Sequence, residues 1–319
     1  MLFAYRLDAG RLTRMEPDSD LVQAIWIDLY RPQPEQIAEL ALLGVVVPTL
    51  EDMEEIEISS RLYREAGVDF MTVMLPGATP EKVQISAPVT FVVTAQRLVT
   101  VRHHAPRPFE TFPGRAEQSS AGCANHLRLF MGLVEDIVAR QADLLEGVGR
   151  SLDQATTALF EEADARHPDN LHASLVAIGR QGEVLARVRL GLLTLERMLS
   201  VYTLWAEGTR EASGMRPLIK AQIRDIQALE VHADFLSGRV GMVTDTTLGM
   251  VNLAQNATIR IVSVVAALFL PPTVIASAYG MNFAMMPELD WRWGYPMALG
   301  MMVASAVATW VYFKWKRWL

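Results

Sequence analysis

The chain has 319 residues, 51% of them hydrophobic, and a net charge of −7. That acidic balance argues against a nucleic-acid partner. Cys123 is the only cysteine, which excludes a disulfide within the chain and argues against a Cys-based zinc site.

The N-terminus, Met1-Leu2-Phe3-Ala4-Tyr5-Arg6-Leu7-Asp8, has no basic start followed by an apolar run. No secretory signal is expected, and the N-terminal part is expected in the cytoplasm. Residues 1–118 read as a mixed α/β domain. Ala24 to Leu29 predicts a strand and Pro34 to Leu43 a short helix. Asp69 to Leu75, Val89 to Val93 and Leu98 to Val101 are rich in Val, Phe and Thr and predict further strands, with a hairpin turn at Gln96-Arg97. This region has no Gly-rich phosphate loop and no nucleophile elbow, so neither a nucleotide nor an enzymatic reaction is expected.

From about Ser119 the apolar residues recur at helical spacing almost to the end. Residues 119–258 form the expected helical and stalk region. Breaks near His167-Pro168-Asp169-Asn170 and near Ser213-Gly214-Met215-Arg216-Pro217 divide the sequence into three long helices, 119–164, 171–207 and 217–279. The third is too long for an ordinary globular helix and is expected to run directly into an apolar span.

Two apolar runs follow, Ile261 to Tyr279 and Tyr295 to Phe313. Each holds roughly the 20 residues that a helix needs to cross a bilayer. The expected organisation is a first transmembrane helix over 259–279, an external loop over 280–294, a second transmembrane helix over 295–313 and a basic cytoplasmic tail over 314–319. Lys314, Lys316 and Arg317 in the tail and Arg260 before the first span place both termini on the cytoplasmic side, by the preference of basic residues for that face. Trp291, Trp293 and Tyr295 at one end, and Trp310, Tyr312, Trp315 and Trp318 at the other, read as interfacial belts.

The third helix carries a stripe of Asp245, Gly249, Asn252, Asn256, Ile259, Ser263, Ala266, Leu270, Thr273 and Ser277. Steps of three and four put these on one helical face. The face is small or polar nearly throughout, unlike a lipid-facing surface. Pattern alone leaves pore lining and close packing through small residues equally open. Pore lining would require a ring of subunits, because one span per chain cannot enclose a channel.

Tyr279-Gly280-Met281-Asn282-Phe283 follows the first span, and Pro271-Pro272-Thr273, Met286-Pro287-Glu288-Leu289 and Trp293-Gly294-Tyr295-Pro296 surround it. With Tyr312-Phe313-Lys314 through Trp318-Leu319, this hairpin resembles that of the CorA family of magnesium transporters. The likeness is dense over the C-terminal hairpin. It extends thinly over the rest, through Leu50-Glu51-Asp52 and the long stalk.

The resemblance implies an α+β cytoplasmic domain, a long-helix stalk and two transmembrane helices in a funnel-shaped homopentamer. It implies a divalent-cation channel in the bacterial inner membrane, driven by the membrane potential, passing Mg²⁺ and also Co²⁺ or Ni²⁺. No organic cofactor is implied. Gly280, Met281 and Asn282 would form the selectivity filter. Mg²⁺ sheds its waters reluctantly, so a filter should bind the hydration shell, and the Asn282 amide oxygen can accept from metal-bound water without adding a full charge. Helix capping is the plain structural role for Asn282. Thr273 and Ser277 would add polar rings, Leu270, Val262 and Ile259 an apolar constriction, and Asn256 a polar ring at the inner mouth.

Glu288 would attract cations outside or serve as a plain loop carboxylate. Asp245, with Asp52 and Glu51 of a neighbouring subunit, would bind a regulatory Mg²⁺ that locks the ring shut. Their plain roles are a solvated stalk charge for Asp245 and a helix-start carboxylate for Asp52. A zinc transporter of the same superfamily is the alternative. Zinc relatives often carry Ile in the middle of the tripeptide, so Met281 favours magnesium. The six histidines read as surface or packing residues.

Overall fold

The structure is a computed structural model and describes residues 1–8, 10–17, 19–55, 57–161, 168–205, 214–281, 286–287, 291–316 and 318. It divides into two compact units. One holds Met1–Thr157 and Val176–Thr244, the other Ala158–Leu175 and Asp245–Leu319.

The first unit is built on a sheet of β1 (Leu2–Asp8), β2 (Arg11–Arg14), β3 (Trp26–Tyr30), β4 (Leu62–Glu65), β5 (Val68–Ala78), β6 (Gln84–Val93) and β7 (Leu98–Arg102). The strand order is β2-β1-β3-β7-β6-β5-β4. Every neighbouring pair is antiparallel except β3 and β7, which run parallel at the centre with Asp28 opposite Thr100 and Tyr30 opposite Arg102.

Strand alternation sorts the central residues onto two faces. Ile27 and Leu29 of β3, with Val99 and Val101 of β7, join a buried cluster with Leu40 of α1 (Pro34–Leu42) and Met53 of α2 (Leu50–Glu54). Of two further short helices, α3 (Ile58–Arg61) precedes β4 and α4 (Pro108–Thr111) follows β7 in sequence.

The other face carries Trp26, Asp28, Thr100 and Arg102 with the aromatic Phe91. It meets the long helices through ring contacts. Phe91 sits 5.4 Å from Phe130 of α5 (His126–Glu161), and Phe130 sits 5.1 Å from Tyr202 of α6 (Pro168–Trp205). The Thr194 hydroxyl of α6 accepts from the Met74 amide of β5 at 3.1 Å.

The third long helix, α7 (Arg216–Tyr279), is continuous over 64 residues. Its N-terminal half is tied to its neighbours by polar pairs. Arg239 meets Asp153 of α5 at 2.7 Å, Arg189 of α6 meets Asp234 at 2.9 Å, and Gln227 donates to Glu196 of α6 at 2.7 Å.

The predicted strand at Ala24–Leu29 begins two residues later, at Trp26, and runs one further, to Tyr30. Leu21–Gln23 form a 3₁₀ turn before it, capped by the Asp20 carboxylate, which accepts from the Val22 amide at 2.9 Å. The turn at Gln96-Arg97 is present and is closed by Thr94, whose hydroxyl accepts from both the Gln96 and Arg97 amides. β1, β2 and β4 were not expected. The β4–β5 hairpin turns on Ala66 (φ 49°) and Gly67 (φ 83°), and left-handed backbone at both central positions marks the tight turn that suits strand twist.

In the second unit, α7 continues through Pro271-Pro272 to Tyr279, and α8 (Gly294–Trp315) follows it. Both helices contain apolar stretches long enough to cross a membrane. The expected helix ends at 164 and 207 lie outside the described residues, as do residues 282–285, 288–290 and Arg317.

Candidate ion pathway and regulatory carboxylates

The proposed pore residues share one uninterrupted helix, so their angular positions follow from 100° per residue. Asn256, Ile259, Leu270, Thr273 and Ser277 fall on one face, all exposed within this chain. Val262 lies about 60° from Ile259, towards the edge of that face. Ile259, Val262 and Leu270 are more than 60% exposed, so large apolar side chains on α7 await lipid or neighbouring chains.

Thr273 shows how a hydroxyl on this face can serve a hydrated cation. Its Oγ1 donates to the Phe269 carbonyl at 2.7 Å, one turn back. With its hydrogen committed to the backbone, the oxygen offers only lone pairs to its surroundings. Waters around a metal ion present hydrogens outward, so an acceptor is what they need. Ser263 is arranged the same way, donating to the Ile259 carbonyl at 2.8 Å. Back-bonding of this kind leaves no buried donor unsatisfied inside an apolar span.

At the exit, the Gly280 amide donates to the Ala276 carbonyl at 2.9 Å and the Met281 amide reaches the Ala278 carbonyl at 3.4 Å. Gly280 is not in left-handed backbone. A Cβ there would lie 3.2 Å from the Ala276 oxygen, a tight contact. Met281 is half exposed. Asn282 and Glu288 lie outside the described residues.

The carboxylates expected to bind a regulatory Mg²⁺ fall in different units, Asp52 and Glu51 in the first and Asp245 in the second. Asp52 is the third residue of α2, whose first turn it closes with Thr49. Asp52 Oδ2 accepts from the Thr49 amide at 2.9 Å and the Thr49 hydroxyl at 2.7 Å, and the Asp52 amide donates back to Thr49 Oγ1 at 3.2 Å. This is the reciprocal capping arrangement with Asp in place of the usual Glu. The Thr49 hydroxyl and amide hold the Asp52 carboxyl below its ordinary range, so it stays ionised.

The helix-start role foreseen for Asp52 is therefore real, yet only one of its oxygens is committed, and the side chain remains exposed. Glu51 beside it and Asp245 on α7 are also exposed. Among the described residues of this single chain, no three His, Cys, Asp or Glu side chains are grouped to hold a metal ion. Thr49 is the functional neighbour that sequence reasoning passed over, although Thr49-Leu50-Glu51-Asp52 carries the capping spacing.

Among the described residues, Asp28 and Arg102 form a deeply buried charged pair on the central strands. Arg102 Nη2 meets Asp28 Oδ2 at 2.8 Å, with side chains 5% and 2% exposed. Thr100 Oγ1 donates to Asp28 Oδ1 at 2.7 Å and accepts from Trp26 Nε1 at 3.1 Å. The Arg102 guanidinium also donates to the His104 carbonyl and lies 4.7 Å from the Tyr30 ring centre. Every part of this network has an internal partner, which suits a fold determinant rather than a reactive centre. His104 is buried against the Leu75 carbonyl at 2.9 Å, in keeping with a packing histidine.

A family model described as CorA-like Mg²⁺ transporter protein matches residues 22–317. The chain is 32% identical over 323 residues to the magnesium transport protein CorA of Pectobacterium atrosepticum, covering all of both chains. It is 32% identical over 322 residues to the protein of that name in Escherichia coli K12, again covering both in full. In fold it is similar to the complete CorA magnesium transporter from Methanocaldococcus jannaschii, with a TM-score of 0.71 at 16% identity over 100% of this chain and 99% of that one. The ZntB cytoplasmic domain from Vibrio parahaemolyticus is similar in fold at a TM-score of 0.57 and 13% identity, over 77% of this chain and 96% of that domain. With the family match spanning nearly the whole sequence and full-length relatives at 32% identity, the chain belongs to the CorA-like Mg²⁺ transporter family.

Proposed function

We propose that this protein is a magnesium channel of the bacterial inner membrane, admitting hydrated Mg²⁺ down the membrane potential and also passing Co²⁺ or Ni²⁺. End-to-end identity with relatives named magnesium transport proteins carries this reading. In it, residues 1–258 are cytoplasmic, residues 259–279 line the pore, residues 295–313 form an outer span, and the tail 314–319 returns to the cytoplasm. The channel is a homopentamer, in which neighbouring copies cover the exposed apolar residues of α7 and close a ring around its polar face.

Within that ring, Asn282 and the backbone of Gly280 receive the hydrated ion, with Met281 between them. Amide and carbonyl oxygens accept from metal-bound water without the tight grip of a carboxylate ring, which favours release. Ser277, Thr273 and Asn256 supply further acceptors along the path. Leu270, Val262 and Ile259 form an apolar constriction that gates by losing water. Glu288 raises the local cation concentration at the outer mouth.

Cytoplasmic Mg²⁺ bound between Asp245 of one subunit and Asp52 and Glu51 of the next neutralises their repulsion and holds the ring closed. Loss of that ion releases it, a differential binding to one state.

The test is Mg²⁺ uptake into liposomes under an inside-negative potential, comparing wild type with Asn282→Ala and varying internal Mg²⁺. The proposal expects uptake that requires Asn282 and declines as internal Mg²⁺ rises. Zn²⁺ uptake without Mg²⁺ flux would overturn it in favour of zinc transport.

A further inference from the structure

The first unit contains a cavity of about 540 Å³ between the hairpin end of β5 and β6 and the long helices α5 and α6. Three arginines from three different elements line it: Arg107 ahead of α4, Arg140 on α5 and Arg187 on α6. Among the described lining residues Glu110 is the only carboxylate, set against these three arginines in a chain whose net charge is −7. The magnesium pathway and the regulatory carboxylates use none of these residues.

The arrangement is built, not incidental. Gly77 near the end of β5 allows the 104–106 segment to approach so closely that a Cβ would lie 2.6 Å from His104 Cδ2 and 2.8 Å from the Pro106 nitrogen. Ala78 and Ala105 then pair as an isolated bridge, with the Ala105 amide donating to the Ala78 carbonyl at 2.9 Å. That bridge fixes Arg107, two residues on, at the cavity. Arg187 is oriented by Glu183, which accepts from its Nε at 3.2 Å and its Nη2 at 3.0 Å. Its Nη1 is not used in that pair. Arg140 has its closest carboxylate, Asp143, at 3.9 Å, a loose contact. Arg107 has no ion-pair partner among the described residues.

We propose that this cleft binds a small phosphate-bearing anion, either free phosphate or a phosphate monoester of mononucleotide size. Guanidinium forks match phosphate oxygens geometrically and are less strongly hydrated than ammonium groups. The volume falls in the range of small-ligand sites. The sequence has no Gly-rich phosphate loop, so the anion is held by side chains rather than by a helix-start nest. Arg107 has no ion-pair partner among the described residues, so an entering anion meets a guanidinium without displacing a carboxylate from it.

The test is isothermal titration of purified full-length protein in detergent with inorganic phosphate and, separately, with AMP, at low ionic strength and fixed excess Mg²⁺. Saturable binding of either is expected, weakened about tenfold or more by Arg140→Ala or Arg187→Ala, as for loss of one charged hydrogen-bonding group. Arg107 is exposed, so Arg107→Ala carries the least folding risk and is expected to weaken binding as well. AMP binding that phosphate displaces assigns a monoester, and phosphate binding without AMP assigns the free anion. No saturable binding of either probe, or binding unchanged in Arg107→Ala and Arg187→Ala, overturns the proposal and leaves the magnesium reading untouched.

Discussion

Thr49 holds Asp52 twice: its hydroxyl donates to Asp52 Oδ2 at 2.7 Å and its backbone amide donates to the same oxygen at 2.9 Å. An exposed Asp would otherwise sample several rotamers. Here one oxygen is pinned to the start of α2 and the carboxylate is presented in a single orientation. A metal bridging two subunits gains from such pre-orientation, because less side-chain freedom is lost on binding.

Thr49→Ala should therefore act on two levels. The α2 cap loses about 1 kcal/mol, the usual cost of removing a Thr N-cap. The Asp52 carboxyl also loses the hydroxyl donor, the largest cause of its lowered pKa, and moves back towards its ordinary range. Asp52 now contributes stability above the ordinary carboxylate pKa and loses it as pH falls through its lowered value, so the variant's acid limb should shift upward. In liposomes the internal Mg²⁺ needed for half-inhibition should rise several-fold, while Thr49→Ser restores it. An unchanged inhibition curve in Thr49→Ala would show that Asp52 orientation does not matter to regulation.

The buried Asp28–Arg102 pair predicts strongly non-additive mutational costs. Removing either partner leaves an uncompensated charge among side chains at most 5% exposed. Arg102→Leu or Asp28→Leu should each destabilise by about 3–5 kcal/mol, whereas the double variant Asp28→Leu with Arg102→Leu should cost much less than their sum. Denaturant unfolding of the full chain in detergent, followed through its tryptophans, measures this. Additive single-variant costs would mean that the two residues do not act as a pair.

His104 predicts a specific pH window. Burial pushes its imidazole down from the ordinary 6.5 to about 4, outweighing its bond to the Leu75 carbonyl. In the unfolded chain the ring takes a proton near pH 6.5, but in the folded chain only near 4. Between those values the unfolded state binds more protons, so stability falls as pH falls, by on the order of 3 kcal/mol across the window. His104→Gln keeps a donor and cannot titrate. The difference in unfolding free energy between wild type and His104→Gln should therefore slope across pH 4–6.5 and flatten outside it. A constant difference would place the imidazole in a wetter site.

The long helices and central strands were readable in the sequence because their signals are redundant. β3 (Trp-Ile-Asp-Leu-Tyr) and β7 (Leu-Val-Thr-Val-Arg) are mostly apolar or β-branched, with Asp28 and Arg102 as the charged exceptions. The 64 residues of α7 repeat one period many times. The edge strands were not readable. β2 is Arg11-Leu12-Thr13-Arg14, charged at both ends, and β4 is joined to β5 through Ala66-Gly67, a weaker turn signal than Asn-Gly.

The candidate pore face was readable as a stripe, since helical spacing alone fixes which residues share a face. What spacing does not reveal is hydrogen placement. That Thr273 spends its hydrogen on Phe269 and Asp52 spends one oxygen on Thr49 depends on rotamers and backbone carbonyls that a residue pattern does not contain.

The acceptor role of Thr273 leads to a graded set of variants. Thr273→Ser keeps an oxygen that can donate back to Phe269 and turn its lone pairs to the pathway, so uptake should remain within about twofold of wild type. Thr273→Val has nearly the same volume and leaves the bore unchanged, but offers no acceptor to metal-bound water. Losing one hydrogen bond to a charged, hydrated ion at each subunit should lower Mg²⁺ uptake by roughly tenfold or more. Thr273→Val should also fold normally, because the Phe269 carbonyl keeps its helical amide partner and no buried donor is orphaned. Measured with internal Mg²⁺ held low, so that the proposed regulatory carboxylates are unoccupied, the Ser and Val variants separate acceptor chemistry from pore width. Equal uptake in both would mean that Thr273 faces packed helices rather than the ion, and the alternative left open by the small-residue stripe would then account for this position.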